Sequence, residues 1–142
     1  MTTIAYDGKT IAADSRATIG NHISPGNHQK IHELAGGSLY AFCGVVSDGL
    51  KMLAFLTDDL DEMPTWKPGR TTAIIVNKKG TLRIYEGTGI WMIQKSKLYA
   101  MGSGDAYAYG AMAAGATAAQ AVKIASRFDS CTGGTVRTRS RV

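Results

Sequence analysis

The first residues of the chain, Met1-Thr2-Thr3-Ile4-Ala5, could carry chemistry because a small hydroxyl residue follows the initiator methionine. Removal of Met1 would give Thr2 a free α-amino group, whose ordinary pKa of about 7.7 to 8.0 suits it to accept a proton near neutral pH. That amine could take the proton of the Thr2 hydroxyl and activate it as a nucleophile, whereas an internal threonine has no base of its own. The alternative is that Thr2 and Thr3, which are β-branched, simply open a strand.

The other reactive side chains do not form a metal or cofactor site. His28 and His32 are four residues apart, and four residues along a strand span ~13 Å, too far for the two side chains to share one ion. Cys43 and Cys131 are distant in sequence, with no Cys-x-x-Cys spacing, so neither a zinc site nor a disulfide framework is indicated. Gly102-Ser103-Gly104 lacks the third glycine of a dinucleotide-binding loop. We therefore expect no metal and no cofactor.

Length and charge limit the classes of protein to which the chain could belong. Its 142 residues suffice for one domain, which we place at residues 1–142. A net charge of +5 comes without a basic helix or an aromatic ladder, so no nucleic-acid partner is expected. No apolar run approaches the ~20 residues of a membrane span, and the start of the chain lacks the pattern of a signal peptide. These features predict a soluble, cytoplasmic protein with no membrane partner.

Short apolar or alternating segments predict strands joined by tight turns. Asp7-Gly8 separates two such segments and is a strong signal for a two-residue hairpin, because both central positions need a positive φ. A second hairpin is predicted around Ala35-Gly36-Gly37. The predicted strands are 2–6, 9–13, 29–34, 38–43, 71–76, 81–86, 98–101 and 135–142.

Two regions of the sequence predict helices. Residues 47–60 place Leu50, Leu53, Ala54 and Leu60 near one face and Asp48 mostly elsewhere. Residues 105–128 are rich in alanine and are split by Gly115, after which Thr117 and Gln120 have capping-box spacing. Consecutive hairpins followed by paired helices predict an α+β protein with antiparallel sheets.

Three segments resemble the proteasome β-subunits and the related HslV-type peptidases. They are Ile11-Ala12-Ala13-Asp14-Ser15-Arg16-Ala17-Thr18, Gly102-Ser103-Gly104-Asp105-Ala106-Tyr107-Ala108-Tyr109-Gly110 and Asp129-Ser130-Cys131-Thr132-Gly133-Gly134. They occur in the order of that family and cover most of the chain. The chain is identified as a short, bacterial or phage-like member. The resemblance implies an N-terminal nucleophile (Ntn) hydrolase fold, an αββα sandwich of two antiparallel sheets. One helical layer is reduced, because residues 44–70 leave room for a single helix of moderate length.

The resemblance also implies roles for individual residues. Thr2 corresponds to the nucleophile of a threonine-type endopeptidase, Asp14 and Lys30 to its supporting ion pair, and Gly44 to the donor of the backbone N–H that faces the oxyanion. The polar group beside the nucleophile corresponds to Ser103, Asp129 and Thr132. Without the resemblance, Lys30 would be interpreted as a surface lysine, Gly44 as a strand end, Ser103 as a helix cap and 129–134 as a turn.

Substrate and assembly follow from the same resemblance. Ala17, His28, Phe42 and Val46 match positions that line the pocket for the side chain before the cleaved bond, which predicts a shallow, largely apolar pocket for a polypeptide substrate. The family works as homo-oligomeric rings, so a ring and an ATPase unfoldase partner are expected. Two alternatives remain open: a catalytically silent ring or scaffold subunit, and an Ntn hydrolase of small amides.

Overall fold

The computed structural model describes residues 2–24 and 28–141. The strands are, in chain order, β1 Thr3–Tyr6, β2 Thr10–Ala13, β3 Ala17–Ile19, β4 His22–Ser24, β5 Ile31–Glu33, β6 Leu39–Gly44, β7 Thr71–Val76, β8 Leu82–Tyr85, β9 Trp91–Gln94, β10 Tyr99–Gly102 and β11 Arg137–Ser140. The α-helices are α1 Val46–Leu56, α2 Asp105–Ala113 and α3 Ala118–Phe128. The chain divides into two compact units: unit 1 is Met1–Ile31 with Ser96–Ser140, and unit 2 is His32–Lys95 with Arg141–Val142. That the whole chain is one domain stays a prediction.

Unit 1 contains an antiparallel sheet in the order β10-β1-β2-β11. The predicted hairpin at Asp7-Gly8 is confirmed: Gly8 has a φ of +98°, and the Asp7 carboxylate accepts the N–H groups of Lys9 at 3.0 Å and Thr10 at 2.9 Å. Because this turn fixes the register, Ile4 pairs with Ala13. The first residues of the chain therefore lie beside Asp14.

Helices α2 and α3 pack on the sheet of unit 1 through small side chains. Their buried cluster consists of Ala5, Ala12, Ala100, Ala108, Met112, Ala118, Ala121 and Val122. Helix α3 begins with the predicted capping box, in which Thr117 Oγ1 accepts the Gln120 N–H at 3.2 Å and the Gln120 side chain accepts the Thr117 N–H at 2.9 Å. Asp7 accepts the N–H of Ala118 at 2.9 Å, so the first hairpin also holds the start of α3.

Unit 2 contains a sheet in the order β5-β6-β7-β8-β9, except for Ile31, the first residue of β5, which is in unit 1. Helix α1 lies in the chain between β6 and β7. The buried cluster of unit 2 is Tyr40, Met52, Trp66, Ala73 and Tyr85. The described part of unit 2 has α1 as its single α-helix, which agrees with the reduced helical layer expected from the sequence. The second predicted hairpin is also present, since β5 and β6 are neighbours in the sheet.

The predicted buried face of α1 was partly wrong, although Leu53 packs against the core of unit 2 as predicted. Leu50 is 49% exposed, whereas Asp48, assigned to the polar face, is 5% exposed. Asp48 is buried because it accepts hydrogen bonds from Arg70 and Thr71. The helix also ends at Leu56 rather than at Leu60, and Asp58, two residues later, has a φ of +64°.

The predicted α+β class with antiparallel sheets is confirmed. Three strands were missed: β3 and β4, which form a separate two-stranded ribbon, and β9 at the edge of the larger sheet. Each is only three or four residues long and carries exposed apolar residues, namely Ile19, Ile23, Met92 and Ile93. Within residues 2–24 and 28–141, no helix has both the length and the apolar character needed to cross a membrane.

Candidate active site

Four strand ends meet in unit 1 and form the candidate site. Thr3, at the start of β1, pairs with Gly102 at the end of β10, and the Asp14 N–H, just after β2, donates to the Thr3 carbonyl at 3.3 Å. Strand β11 runs beside β2, with Arg137 opposite Ala13. Antiparallel pairing thus gathers the chain start, Asp14 and the loops that follow β10 and precede β11.

Asp14 is the centre of a buried hydrogen-bond network. Its side chain is fully buried, and its Oδ1 accepts hydrogen bonds from the Thr2 hydroxyl and, at 3.2 Å, from the Thr3 N–H. Its Oδ2 accepts the N–H groups of Arg16 at 3.3 Å and Gly133 at 3.0 Å. A buried carboxylate with this many donors is held in one orientation.

Lys30 supplies the positive charge of this network. Its Nζ lies 2.7 Å from Asp14 Oδ1, donates to the Arg16 carbonyl at 2.6 Å, and donates to the Thr2 hydroxyl. The Lys30 side chain is only 12% exposed, so water screens its charge weakly. An ammonium in contact with a hydroxyl oxygen stabilises negative charge that develops on that oxygen.

A second polar cluster lies in the same unit. Ser103 Oγ donates to Asp129 Oδ2 at 2.6 Å, and Thr132 Oγ1 donates to the same oxygen. Thr132 Oγ1 also lies 2.7 Å from Thr3 Oγ1, which joins the cluster to the residue after Thr2. Burial raises the pKa of Asp129, but hydrogen bonds from Ser103, Thr132 and the Cys131 N–H outweigh burial and lower it below its ordinary value. Ser103 is therefore a partner of Asp129 and not the cap of α2, whose N-cap is Gly104.

Two glycines allow the loop after β10 to approach the start of the chain. A Cβ at Gly102 would lie 1.8 Å from the Thr2 carbonyl oxygen, and Gly102 has a φ of +102°. A Cβ at Gly104 would lie 2.1 Å from Thr3 Oγ1. This steric role was missed from the sequence, in which the two glycines match only part of a nucleotide-binding pattern and a family motif.

Comparison with solved structures identifies the fold. The chain is similar to Thiobacillus denitrificans BPH in complex with epoxomicin, with 25% identity, a TM-score of 0.77 and coverage of 99% of this chain and 97% of that chain. A further structure of Thiobacillus denitrificans BPH has 25% identity, a TM-score of 0.75 and coverage of 98% and 96%. HslV from Trypanosoma brucei has 18% identity, a TM-score of 0.70 and coverage of 97% and 98%. The chain has the proteasome-like fold of HslV. The Ntn-hydrolase fold expected from the sequence is confirmed, although no protein-family model matches the chain.

Within this proteasome-like fold, the structure brings six of the predicted catalytic residues into one unit. Thr2, Asp14 and Lys30 are in mutual contact, and Ser103, Asp129 and Thr132 form the cluster beside them. Met1, whose removal the prediction requires, lies outside the described residues. The roles of the six residues stay predictions.

The seventh predicted catalytic residue, Gly44, belongs to unit 2. It ends β6 with a φ of +122°, and a Cβ there would lie 2.4 Å from the Arg70 carbonyl oxygen. The next N–H, that of Val45, donates to Thr71 Oγ1 at 3.0 Å. Glycine is therefore required at this position by both conformation and space.

The predicted pocket residues are divided between the two units. Ala17 opens β3 and His28 lies before Lys30, both half-buried in unit 1. In unit 2, Phe42 is half-buried in β6 and stacks on His32 with ring centroids 6.5 Å apart, while Val46 is 59% exposed at the start of α1. The pocket stays a prediction.

Proposed function

We propose that the chain is a threonine-type peptidase that uses Thr2, freed of Met1, as its nucleophile. The observation that supports this most is the contact of one mostly buried ammonium, that of Lys30, with both the Thr2 hydroxyl and the Asp14 carboxylate. The proteasome-like fold adds support, as does the epoxomicin complex of the similar Thiobacillus denitrificans BPH.

The chemistry follows from the groups around Thr2. The Thr2 amine takes the hydroxyl proton while Oγ1 attacks the substrate carbonyl, and the Gly44 N–H, in the role we propose for it, donates to the resulting oxyanion. The C–N bond then breaks, the proton passes to the departing amine, and Thr2 is left as an acyl ester. Water hydrolyses this ester and returns the proton to Thr2. The positive charge of Lys30 stabilises the negative charge that develops on the attacking Oγ1. It also favours the unprotonated amine, because it repels a second positive charge.

The substrate and setting belong to the same proposal. We infer a polypeptide substrate, a homo-oligomeric ring that confines the sites, an ATPase unfoldase partner and a cytoplasmic location. No metal or cofactor takes part in the proposed steps.

The test begins with the chain terminus. Intact mass establishes whether Met1 is removed, and where it is retained, a ubiquitin fusion cut by a deubiquitinase releases Thr2 at the N-terminus. The protein is then treated with epoxomicin, whose ketone and epoxide offer electrophiles to both the hydroxyl and the amine of one residue. We expect a covalent adduct on Thr2, its absence in Thr2→Ala, and its persistence in Thr2→Ser, which keeps both groups.

Each other outcome has a meaning. A protein with Thr2 at its N-terminus that neither forms the adduct nor cleaves short fluorogenic peptides would refute the peptidase proposal. Natural retention of Met1, with activity only after artificial release, would identify a catalytically silent subunit that keeps the machinery. Native mass gives the oligomer: a closed ring agrees with unfolded polypeptide as substrate, whereas an open monomer or dimer that cleaves small amides would favour that substrate class.

The pocket is tested by substrate preference. If Phe42 lines the pocket for the side chain before the cleaved bond, Phe42→Ala should shift kcat/KM toward bulkier apolar side chains at that position, because a removed ring leaves room. The exposed Phe128 is a control, since its change to alanine should leave the preference as it is. An unchanged preference in Phe42→Ala would remove Phe42 from the pocket.

A further inference from the structure

Arg16 contacts both polar clusters of unit 1, one with its main chain and the other with its side chain. Its N–H donates to Asp14 Oδ2 at 3.3 Å, and its carbonyl accepts from Lys30 Nζ at 2.6 Å. Its guanidinium Nη1 donates to the carbonyls of Ser130 at 3.0 Å and Thr132 at 3.4 Å. One residue thus connects the Asp14 and Lys30 pair with the loop that carries Thr132.

The loop at residues 129–134 is shaped to receive this guanidinium. A Cβ at Gly133 would lie 2.4 Å from Arg16 Cζ, so only glycine leaves room for the side chain in its observed position. The Gly133 N–H donates to Asp14 Oδ2 at 3.0 Å, and the Ser15 N–H donates to the Gly133 carbonyl at 3.1 Å. The loop and the segment around Arg16 therefore lie in direct contact along three residues.

The position of this loop determines where the Thr132 hydroxyl points. Thr132 Oγ1 lies 2.7 Å from Thr3 Oγ1 and donates to Asp129. The residue it touches is the direct neighbour of Thr2, so a displaced loop would disturb the surroundings of the reacting hydroxyl and amine. The hydrogen bonds of the Gly133 and Ser15 N–H groups do not involve the guanidinium, so we expect the fold to survive its loss.

We propose that Arg16 is a positioning residue for the peptidase reaction: its guanidinium fixes the Thr132 loop against Thr2, while its carbonyl fixes the Lys30 ammonium. This inference rests on the proposed function of Thr2. A lysine would perform this task less well: the N–H groups of Nη1 point to both carbonyls in directions fixed by the guanidinium plane, whereas an ammonium is a freely rotating point charge on a different stem.

The first experiment is a kinetic comparison with short fluorogenic peptides and protein that carries Thr2 at its N-terminus. Arg16→Ala should lower kcat by about tenfold to a hundredfold, since misplacement by ~1 Å in an active site costs on that order, and should change KM by less than about threefold. Added guanidinium, well below denaturing concentrations, should restore part of kcat by occupying the vacated space, and urea at the same concentration should not. Arg139→Ala, a change of an exposed arginine in β11, is the matched control and should keep the parent kcat.

The second experiment approaches the same contact from the other side. Gly133 is not in the left-handed region, so Gly133→Ala suits the backbone but displaces the guanidinium. It should reproduce the Arg16→Ala defect without being rescued by guanidinium, because the added methyl group occupies the site. In the double variant the two losses should overlap, with kcat within about twofold of Arg16→Ala, since both changes remove one interaction.

Failure of this inference differs from failure of the proposed function. If the parent protein with free Thr2 is inactive, the peptidase proposal fails. If the parent is active, the inference is overturned when Arg16→Ala keeps kcat within about threefold, when guanidinium restores nothing, or when the two losses multiply in the double variant. Should Arg16→Ala not fold, Arg16→Lys decides: a kcat within about twofold of the parent overturns the inference, and a loss of fivefold or more supports it.

Discussion

Asp14 in unit 1 and Asp48 in unit 2 are both buried aspartates, and their surroundings are built from the same kinds of group. Each is paired with a cation, Asp14 with Lys30 at 2.7 Å and Asp48 with Arg70 at 2.8 Å. Each also accepts a hydrogen bond from a threonine hydroxyl, that of Thr2 or that of Thr71. Residue types alone would not distinguish the two networks.

The two networks differ in the group that donates a hydrogen bond to the threonine hydroxyl oxygen. Thr71 Oγ1 accepts a hydrogen bond from the neutral N–H of Val45, whereas Thr2 Oγ1 accepts one from the Lys30 ammonium. The Lys30 side chain is 12% exposed and the Arg70 side chain 49% exposed. Thr71 is also internal, while Thr2 lies one residue from the start of the sequence.

Under the proposed function, these differences separate a structural network from a reactive one. The Thr71 hydroxyl joins the loop after β6 to α1 through a neutral donor and a carboxylate, an arrangement that stabilises and does not activate. The Thr2 hydroxyl contacts an ammonium with little solvent around it, and the proposed removal of Met1 would give the same residue a free amine. In the proposed function the reactivity comes from the donor and the freed amine of Thr2, and the aspartate is common to both networks.

The largest predicted effect is on the rate of the reaction with epoxomicin, which should depend on the Lys30 cation and not on the Arg70 cation. Lys30→Met should slow formation of the epoxomicin adduct by about 10²- to 10⁴-fold, the range that proton-handling groups contribute, while Arg70→Met should change it by less than about tenfold. The measurement is intact mass against time. Equal losses in both variants would end the distinction between the networks.

Stability must be kept apart from chemistry in that comparison. Lys30→Met leaves Asp14 buried without its cation, which costs about 3–5 kcal/mol in comparable pairs. The double variant Lys30→Met with Asp14→Asn removes both charges and should recover part of that stability, since the asparagine amide can accept the neighbouring donors on one side only. It should remain unreactive toward epoxomicin, because the ammonium is still absent.

The second prediction compares the stability lost when each of the two threonine hydroxyls is removed. Thr71→Val, which preserves shape, should lower the free energy of unfolding by about 1–3 kcal/mol, because it leaves the Val45 N–H without this acceptor and takes a donor from Asp48. Thr2→Val should abolish adduct formation but cost less stability, since Asp14 keeps Lys30 and the N–H groups of Thr3, Arg16 and Gly133. Urea denaturation measures both. A larger stability loss in Thr2→Val would contradict the comparison.

The surroundings of Thr2 and Asp14 could be predicted from the sequence better than those of Asp48. The Asp7-Gly8 turn determines the register of the first hairpin, so the proximity of the chain start to Asp14 followed from local chemistry. Asp48 was assigned to the polar face of α1 because helical periodicity separates charged from apolar residues. Its burial depends on Arg70 and Thr71, more than twenty residues away, and no pattern within a helix indicates such a partner.

The same limit explains the missed role of Arg16. A motif match named Asp14 and Lys30, but the contact of the Arg16 guanidinium with the carbonyls of Ser130 and Thr132 joins positions more than a hundred residues apart. Gly133 carries the one local signal, since a glycine inside a loop can mark a close approach by another group.

A third carboxylate, that of the half-buried Asp129, extends the comparison to a more exposed setting and a smaller effect. Hydrogen bonds lower its pKa in the folded state below its ordinary value of 3.8, so its stabilising contribution is present above that pH and is lost as pH falls through the folded pKa. We expect the difference in Tm between the parent protein and Asp129→Asn to be constant from pH 7 to about 5 and to shrink below about 4. A difference that grows on acidification would contradict the assigned direction.

The smallest predicted effect concerns salt. The Asp48 and Arg70 pair is half exposed on its cationic side, and the Debye length falls from about 10 Å at 0.1 M salt to about 3 Å at 1 M. The stability lost in Arg70→Met should therefore decrease between these salt concentrations, because ions reach the exposed guanidinium. The loss in Lys30→Met should stay nearly constant, because the Lys30 side chain is mostly buried and ions cannot enter between it and Asp14. Urea denaturation of each variant beside the parent protein, at both salt concentrations, cancels the general effect of salt. Equal salt dependence in the two variants would mean that solvent reaches both ion pairs alike. It would contradict the weak screening around Thr2 on which the proposed activation by Lys30 depends.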